Sequence, residues 1–334
     1  KGECLEMGKS VAILMTTYNG ERYLSQQIDS IRSQTFTNWT LFIRDDGSKD
    51  KTVEVIQRYS KIDDRIRLVE NPSKFHGAYY NFFNLIEYVK NNYQFDYYFF
   101  CDQDDIWKEH KLEIQLLRFS KDEMPEMVYS DMSTIDANNK LIDISINNIM
   151  GIELPNINNL YFIHAYIWGC TAGFNHALLE MVPSVDIDKD YLYIEKLSHD
   201  NYFAKFALEY GKVLFCPEQL VLYRRHGHNV TTSHHFKLSP LNILRKAILG
   251  FNELALTHAG VYNQTLYMLK KASEKSPLSD RLLEIQEVIK IGGLKGVRYF
   301  CQNRISRKQL VRTIGLYTIM LFGTYKKYIM KELS

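Results

Sequence analysis

The first hundred residues repeat one pattern: a short apolar run that ends abruptly in a cluster of polar residues. Residues 11–15 run into Thr16-Thr17-Tyr18-Asn19-Gly20. Residues 39–43 run into Arg44-Asp45-Asp46-Gly47-Ser48, and residues 96–101 into Asp102-Gln103-Asp104-Asp105. Apolar runs this short, bounded by turn formers, read as strands buried on both faces. Between them the apolar positions take helical spacing: Leu24, Ile28 and Ile31 within 21–34, then Val53, Val55 and Ile56 within 52–59, then the stretch 79–90. Residues 66–70 add a strand before the turn Asn71-Pro72-Ser73. Strands alternating with helices of this length require a parallel sheet with helices on its faces. Ligands of such sheets bind beyond the carboxyl ends of the strands, which is where the three polar clusters fall.

Composition narrows the class. The chain has 334 residues, 46% hydrophobic and 24% charged. That fits two domains, or one large α/β domain with an extension, and excludes disordered or fibrous structure. A net charge of +2 argues against a dedicated nucleic-acid binder. Cys4, Cys101, Cys170, Cys216 and Cys301 are odd in number and widely spaced, with no C-x-x-C. A disulfide framework or zinc ribbon is not expected, and a reducing cytosol is. No leader peptide and no run of about 18 apolar residues is seen. Residues 1–8 are expected to be an expression remnant outside the fold, with Met7 as the natural start.

The strand ends carry the chemistry. Asp102, Asp104 and Asp105 place three carboxylates within four residues. They repel one another unless a cation or strong donors intervene. A hard ion such as Mg²⁺ or Mn²⁺, shared with a diphosphate, is one reading. A solvated loop capping a helix that begins near Trp107 is the other. Asp45-Asp46-Gly47-Ser48 reads equally as a turn with a helix cap. No G-x-G-x-x-G and no G-x-x-x-x-G-K-[ST] is present, which weighs against a Rossmann dehydrogenase and a P-loop kinase.

Taken together, VAILMTTYNGERYLSQQIDSI, LFIRDDGSKDKT and YFFCDQDDIWKEHKL resemble the N-terminal half of the family 2 inverting glycosyltransferases, over roughly residues 9–230. The later segments GCTAGFN, SHDNYF and YRRHGHNV resemble the bacterial rhamnosyltransferase branch. The resemblance implies a GT-A fold: a Rossmann-like, mostly parallel sheet flanked by helices. It implies a nucleotide-sugar donor and a Mg²⁺ or Mn²⁺ cofactor. Thr16, Tyr18 and Asp46 match base-holding positions. Asp102 matches the ribose contact and Asp104 the metal ligand of the D-x-D motif, with Asp105 extending it on the nucleotide side. Lys74, Gly77 and Asn81 fall at a further nucleotide-side loop, where KFHGAYYN replaces the frequent G-x-x-x-A-R-N.

The second half supplies the acceptor side. Glycines in 166–173 allow close approach of a sugar, and Trp168 offers a stacking face beside Gly169, although a buried strand with a bulge fits the same residues. Asp200 opens a helical segment and alone reads as an N-terminal cap. The resemblance makes it the general base, with His199 replacing the usual Glu. Arg224 suits a diphosphate. His226 falls where many GT-A enzymes carry a late metal-ligating histidine. His228, His234 and His235 are alternatives without matched positions.

Residues 237–334 hold 17 Lys or Arg against 6 Asp or Glu, whereas residues 1–236 hold 24 against 33. The domains expected are a catalytic domain 9–236, with a nucleotide half 9–110 and an acceptor half 111–236, and a basic helical region 237–334. Helices are predicted over 241–257, 261–273, 279–291 and 308–331. The last joins Ile314, Ile319 and Phe322 with Arg312, Lys326 and Lys327. That pattern reads as an interfacial helix on anionic lipid, or as a basic bundle or oligomer contact. The leading expectation is transfer of L-rhamnose from dTDP-L-rhamnose to a saccharide or lipid-linked glycan at the cytoplasmic membrane face. A UDP-hexose transferase, a sugar-1-phosphate nucleotidyltransferase and a non-catalytic scaffold are the alternatives.

Overall fold

The computed structural model describes residues 8–120, 123–150, 157–163, 167–226, 251–307 and 309–333. The described residues of Lys1–Ile146 and Ile167–Thr232 form one compact unit. Those of Asn147–Tyr166 and Ser233–Ser334 form another. His228, His234, His235 and the predicted helix start at 241–250 lie outside the described residues.

In the first unit, β1 (Val11–Thr17), β2 (Trp39–Asp45), β3 (Ile66–Val69) and β4 (Tyr97–Cys101) are the expected strands. They alternate with α1 (Leu24–Arg32), α2 (Thr52–Ile62) and α3 (Ala78–Asn92). Strands β1 and β4 are buried at every position, as continuous apolar runs require. After β4 come β5 (Ile106–Trp107), α4 (Lys111–Leu116), β6 (Glu126–Ile135) and β7 (Leu141–Asp143). The short helix α5 (Ile146–Met150) begins where the first unit breaks off. The unit resumes with β8 (Ala172–Asn175), α6 (His176–Met181), α7 (Ile187–Ile194), α8 (His199–Tyr210) and β9 (Lys212–Arg224).

The strand order is β3-β2-β1-β4-β8-β6-β9-β5, with β7 beside β6. Pairs β1–β2, β2–β3, β1–β4 and β6–β9 are parallel, while β8 runs antiparallel between β4 and β6. This is an α/β sheet as expected, parallel over β1 to β4 and mixed in direction beyond them. The chain builds outward from β1 to β3 and then crosses back to β4 on the other side of β1. The carboxyl ends of β1 and β4 are therefore a topological switch point, where a crevice must open.

Three local expectations change. Ile106-Trp107 is not the start of a helix; it pairs antiparallel with Leu222 and Val221 of β9, and α4 begins at Lys111. The described part of the glycine-bearing run, from Ile167, is not one bulged strand, because Gly169–Thr171 forms a 3₁₀ turn before β8. Gly173 serves the sheet rather than a sugar: a Cβ there would lie 2.4 Å from the Phe99 ring on β4. Gly173→Ala therefore overpacks the core and is expected to cost about 1–3 kcal/mol, read as a lower urea midpoint with an unchanged slope.

The second unit holds α9 (Phe251–Lys275), α10 (Asp280–Ile291), α11 (Gly293–Gln302) and α12 (Leu310–Phe322). The helix α9 runs through Gly260 as one piece, where the sequence suggests a break. One interior glycine costs only about 1 kcal/mol, and the buried Ala259, Val261 and Tyr262 hold both sides. The last helix stops at Phe322 because Gly323 takes φ +61, a left-handed cap. Phe162 packs on Tyr262, Tyr299 and Phe300 at 5.0–6.2 Å. Among the described residues no helix is long and apolar enough to cross a membrane.

Candidate active site

The ends of β1 and β2 are tied together before any ligand is considered. Asp45 accepts hydrogen bonds from Thr17 Oγ1 (2.8 Å), Gly47 N (3.0 Å) and Ser48 N (2.7 Å). Its carboxylate is spent on the turn. Asp46 points the other way. It accepts from Gly77 N at 2.6 Å and faces His76 Nδ1 at 3.2 Å, so it pins the loop before α3. The following loops interlock: Asn19 N donates to Ser48 Oγ and Lys49 N to Asn19 Oδ1, at 2.8 and 2.9 Å. Gln103 joins the end of β4 to that of β1. Its Oε1 accepts from Tyr18 N at 2.9 Å, and its Nε2 donates to Tyr18 O at 3.0 Å.

Between these loops lies a cleft of about 680 Å³ whose walls include Thr16, Tyr18, Asp46, Asp102 and Asp104. A second cleft of about 710 Å³ shares Tyr18, Gln103 and Asp104 with it and adds His226. Tyr18 is 52% exposed between them, as a flat group awaiting a partner would be. Seven residues selected from sequence, Gly77 and Asn81 among them, thus meet in one cleft, and His226 opens onto its neighbour. Gln103, Lys49 and Tyr223 also line the first cleft. None of the three was singled out from sequence, although Gln103 lies inside the acidic motif at the end of β4.

Asp104 and His226 come together: His226 Nε2 and Asp104 Oδ2 are 2.6 Å apart, with side chains only 13% and 14% exposed. A carboxylate oxygen and an imidazole nitrogen at a cleft mouth fit a divalent cation of the Mg²⁺ or Mn²⁺ kind. Burial, then the charges of Asp104 and Asp200, push the Asp102 carboxyl up to about 7. Asp105 sits apart. It is fully buried and accepts from Arg224 N at 2.9 Å, so it braces β9 and does not line either cleft.

Arg224 is likewise turned inward. Its Nε donates to Asp104 O (2.7 Å), its Nη1 to Asn139 Oδ1 (2.5 Å) and its Nη2 to Gln26 Oε1 (2.7 Å), and it lies 4.4 Å over the Tyr23 ring. The guanidinium is committed to protein acceptors. Arg224→Lys cannot span them, and a loss of at least about 2 kcal/mol is expected, measured by urea unfolding.

Asp200 stands at the N-terminus of α8. Its Oδ2 accepts from Gly169 N at 2.7 Å, and its Oδ1 from Asn201 N at 2.6 Å and from Ser198 Oγ. Burial raises its carboxyl to about 6, partly offset by those bonds and by Lys205. Tyr79 lies near enough to Asp200 and Asp102 that burial and both charges raise its phenol to about 12. His199 is buried, stacks on Phe82 at 3.8 Å, and is driven down to about 3 by desolvation. It is a neutral slab beside the carboxylate. A Cβ on Gly169 would come within 3.0 Å of its Nε2, so this glycine serves packing. Trp168 packs 5.9 Å from Tyr223 and lines neither cleft. Of the loop candidates, Gly77 and Asn81 line the first cleft, although Asn81 is buried against Arg44 at 2.5 Å. Lys74 instead pairs with Asp188 at 2.9 Å.

Comparison with known proteins bears on the family and the fold. The family described as Glycosyl transferase family 2 matches residues 12–182, and the chain belongs to it. An uncharacterized glycosyltransferase of Haemophilus influenzae is 25% identical over 342 residues, covering 92% of this chain and 98% of its own. The dTDP-rhamnosyl transferase RfbG of Shigella flexneri is 39% identical over 101 residues, 30% of this chain and 34% of its own. WfgD of Escherichia coli, a UDP-Glc:alpha-D-GlcNAc-diphosphoundecaprenol beta-1,3-glucosyltransferase, is 34% identical over 128 residues, 38% and 47% of the two chains. The match thus spans less than half the length of these last two relatives. Among solved structures, S. aureus TarS 1-349 in complex with UDP-GlcNAc aligns over 96% of this chain and 93% of its own. The TM-score is 0.51 and the identity 14%, a likeness of fold.

Proposed function

We propose that this glycosyltransferase moves L-rhamnose from dTDP-L-rhamnose, with inversion, onto a saccharide or lipid-linked glycan acceptor. The observation that carries the transfer chemistry is the meeting of Asp102 and Asp104 in one cleft at the switch point of the sheet, with Asp200, outside that lining, near enough for its charge to raise Asp102. Tyr18 and Thr16 hold the base, with Asp46 fixing the loop opposite, and Asp102 takes the ribose. Asp104 and His226 would hold a divalent cation, which would supply Lewis-acid neutralisation of the leaving diphosphate. Asp200 takes the proton of the acceptor hydroxyl. Its hydrogen bonds to Gly169 and Asn201 fix its direction, and its raised pKa makes it a better base than an ordinary carboxylate.

The donor assignment is supported by the Shigella relative, named for dTDP-rhamnose, and by the segments GCTAGFN and YRRHGHNV. The Escherichia coli relative, named for UDP-Glc, favours a UDP-hexose as the second reading. Nucleotide release measured across a panel of dTDP-, UDP- and GDP-sugars decides. The highest turnover is expected with dTDP-L-rhamnose, and preference for UDP-glucose overturns that donor.

Asp200→Asn is expected to lower kcat by about 10²–10⁴-fold while leaving donor affinity intact, checked by steady-state rates and by calorimetry. Because only ionised Asp200 accepts a proton, kcat/KM should climb with pH through about 6 and level off above it. A flat profile over roughly pH 5 to 8 counts against Asp200 as the base.

A peripheral site on the cytoplasmic membrane face is part of the proposal. One face of α12 exposes Leu310, Ile314, Leu321 and Phe322, while Leu316, Ile319 and Met320 are buried on the other. Lys326 and Lys327 follow in the next turn. Apolar residues beside cations suit anionic lipid. Ile314→Glu combined with Phe322→Glu should abolish sedimentation with phosphatidylglycerol vesicles.

A further inference from the structure

Beside the cleft lies a donor set of which the transfer chemistry uses only Asp102. One carboxylate oxygen each from Asp102 and Asp105, together with the Cys170 sulfur, lie within 4.8 Å of one another. The two acids sit on the segment between β4 and β5. Cys170 sits at the centre of the 3₁₀ turn Gly169–Thr171, which is closed by Thr171 N and Oγ1 donating to Trp168 O at 3.0 and 2.8 Å. Both backbones are therefore fixed, and the three donors converge without rearrangement.

A second observation is independent of that spacing. Asp105 is fully buried, and Arg224 N satisfies its Oδ1 at 2.9 Å. Its Oδ2 is shielded from water, and no N–H or O–H of the described residues reaches it; the neighbouring group is the Cys170 thiol. A buried carboxylate oxygen in contact with only a weak S–H donor carries a large desolvation cost. The nearby cation Lys111 is turned away, donating to Gln115 Oε1 at 2.5 Å and lying 4.3 Å over the Trp107 ring.

The chemistry differs from that of the Asp104–His226 pair. Two carboxylate oxygens and a thiolate are a mixed hard and soft set, which favours Zn²⁺ over Mg²⁺ or Mn²⁺. We propose that Asp102, Asp105 and Cys170 form a second cation site selective for Zn²⁺, and that Zn²⁺ bound there inhibits transfer by withdrawing Asp102 from the nucleotide. Ligation expels the thiol proton to solvent, and water completes the tetrahedron. Asp102 is the half-buried member and gives the ion its path in from the cleft. The inhibition rests on the nucleotide role proposed for Asp102; the binding does not.

The test uses the full chain carrying Cys4→Ser and Cys301→Ser, so that the N-terminal and exposed thiols do not report. Titration with Co²⁺ alone should give a thiolate-to-cobalt charge-transfer band in the near ultraviolet. Zn²⁺ should displace it at one equivalent per chain. The band should vanish on adding the isosteric Cys170→Ser. Asp105→Asn should weaken Zn²⁺ at least about tenfold by calorimetry. In a second arm, nucleotide release at saturating Mn²⁺ is compared with and without Zn²⁺. Zn²⁺ should slow the parent at least about tenfold, and the two rates should approach equality once Cys170→Ser is added. A parent without the band, or a band that survives Cys170→Ser, overturns the site. Binding through Cys170 with an unchanged rate, or an inhibition undiminished by Cys170→Ser, overturns the inhibition and leaves the site standing.

Discussion

Arg224 is a charge removed from water, and the catalytic unit is arranged around that fact. A buried guanidinium must find acceptors for its donors. Those acceptors come from α1 (Gln26), from the D-x-D segment (the Asp104 carbonyl) and from the turn after β6 (Asn139). One side chain thus holds the end of the last strand against segments far away in the sequence. The Asp105 carboxylate grips the same residue through its backbone N–H. With Arg224 in place, the backbones on either side bring Asp104 and His226 face to face.

The nucleotide half was largely legible. Continuous apolar runs can only be buried strands, and polar clusters at their ends can only lie at the sheet's carboxyl edge. The acidic residues there divide into two kinds that sequence alone cannot separate. Asp46, Asp102 and Asp104 line the cleft, while Asp45 and Asp105 hold the backbone that presents them. Adjacent residues in such a loop point in opposite directions, and local turn geometry decides which one sees the ligand. Arg224 was misleading for a related reason. Its residue type suits a phosphate, but its place at the end of an interior strand commits it to protein acceptors.

The second half was harder to read because its strands are set by long-range pairing. Ile106-Trp107 is a strand only because β9 lies beside it, and nothing nearby in sequence announces that. Gly169 and Gly173 looked like openings for a sugar. Each is instead filled by a ring from elsewhere in the chain, His199 in one case and Phe99 in the other. Small residues mark close approach, but they do not say what approaches.

Tyr18, Gln103 and Asp104 form a wall common to both clefts, and the Tyr18 backbone is locked to the Gln103 side-chain amide through two hydrogen bonds. A wall with two sides cannot move for one occupant alone. Whatever displaces Tyr18 from the first cleft reshapes the second, and by thermodynamic reciprocity the reverse holds equally. Occupancy of the two chambers is therefore linked through a party wall one side chain thick, so entry and departure on one side bear on the other without any large motion of the fold.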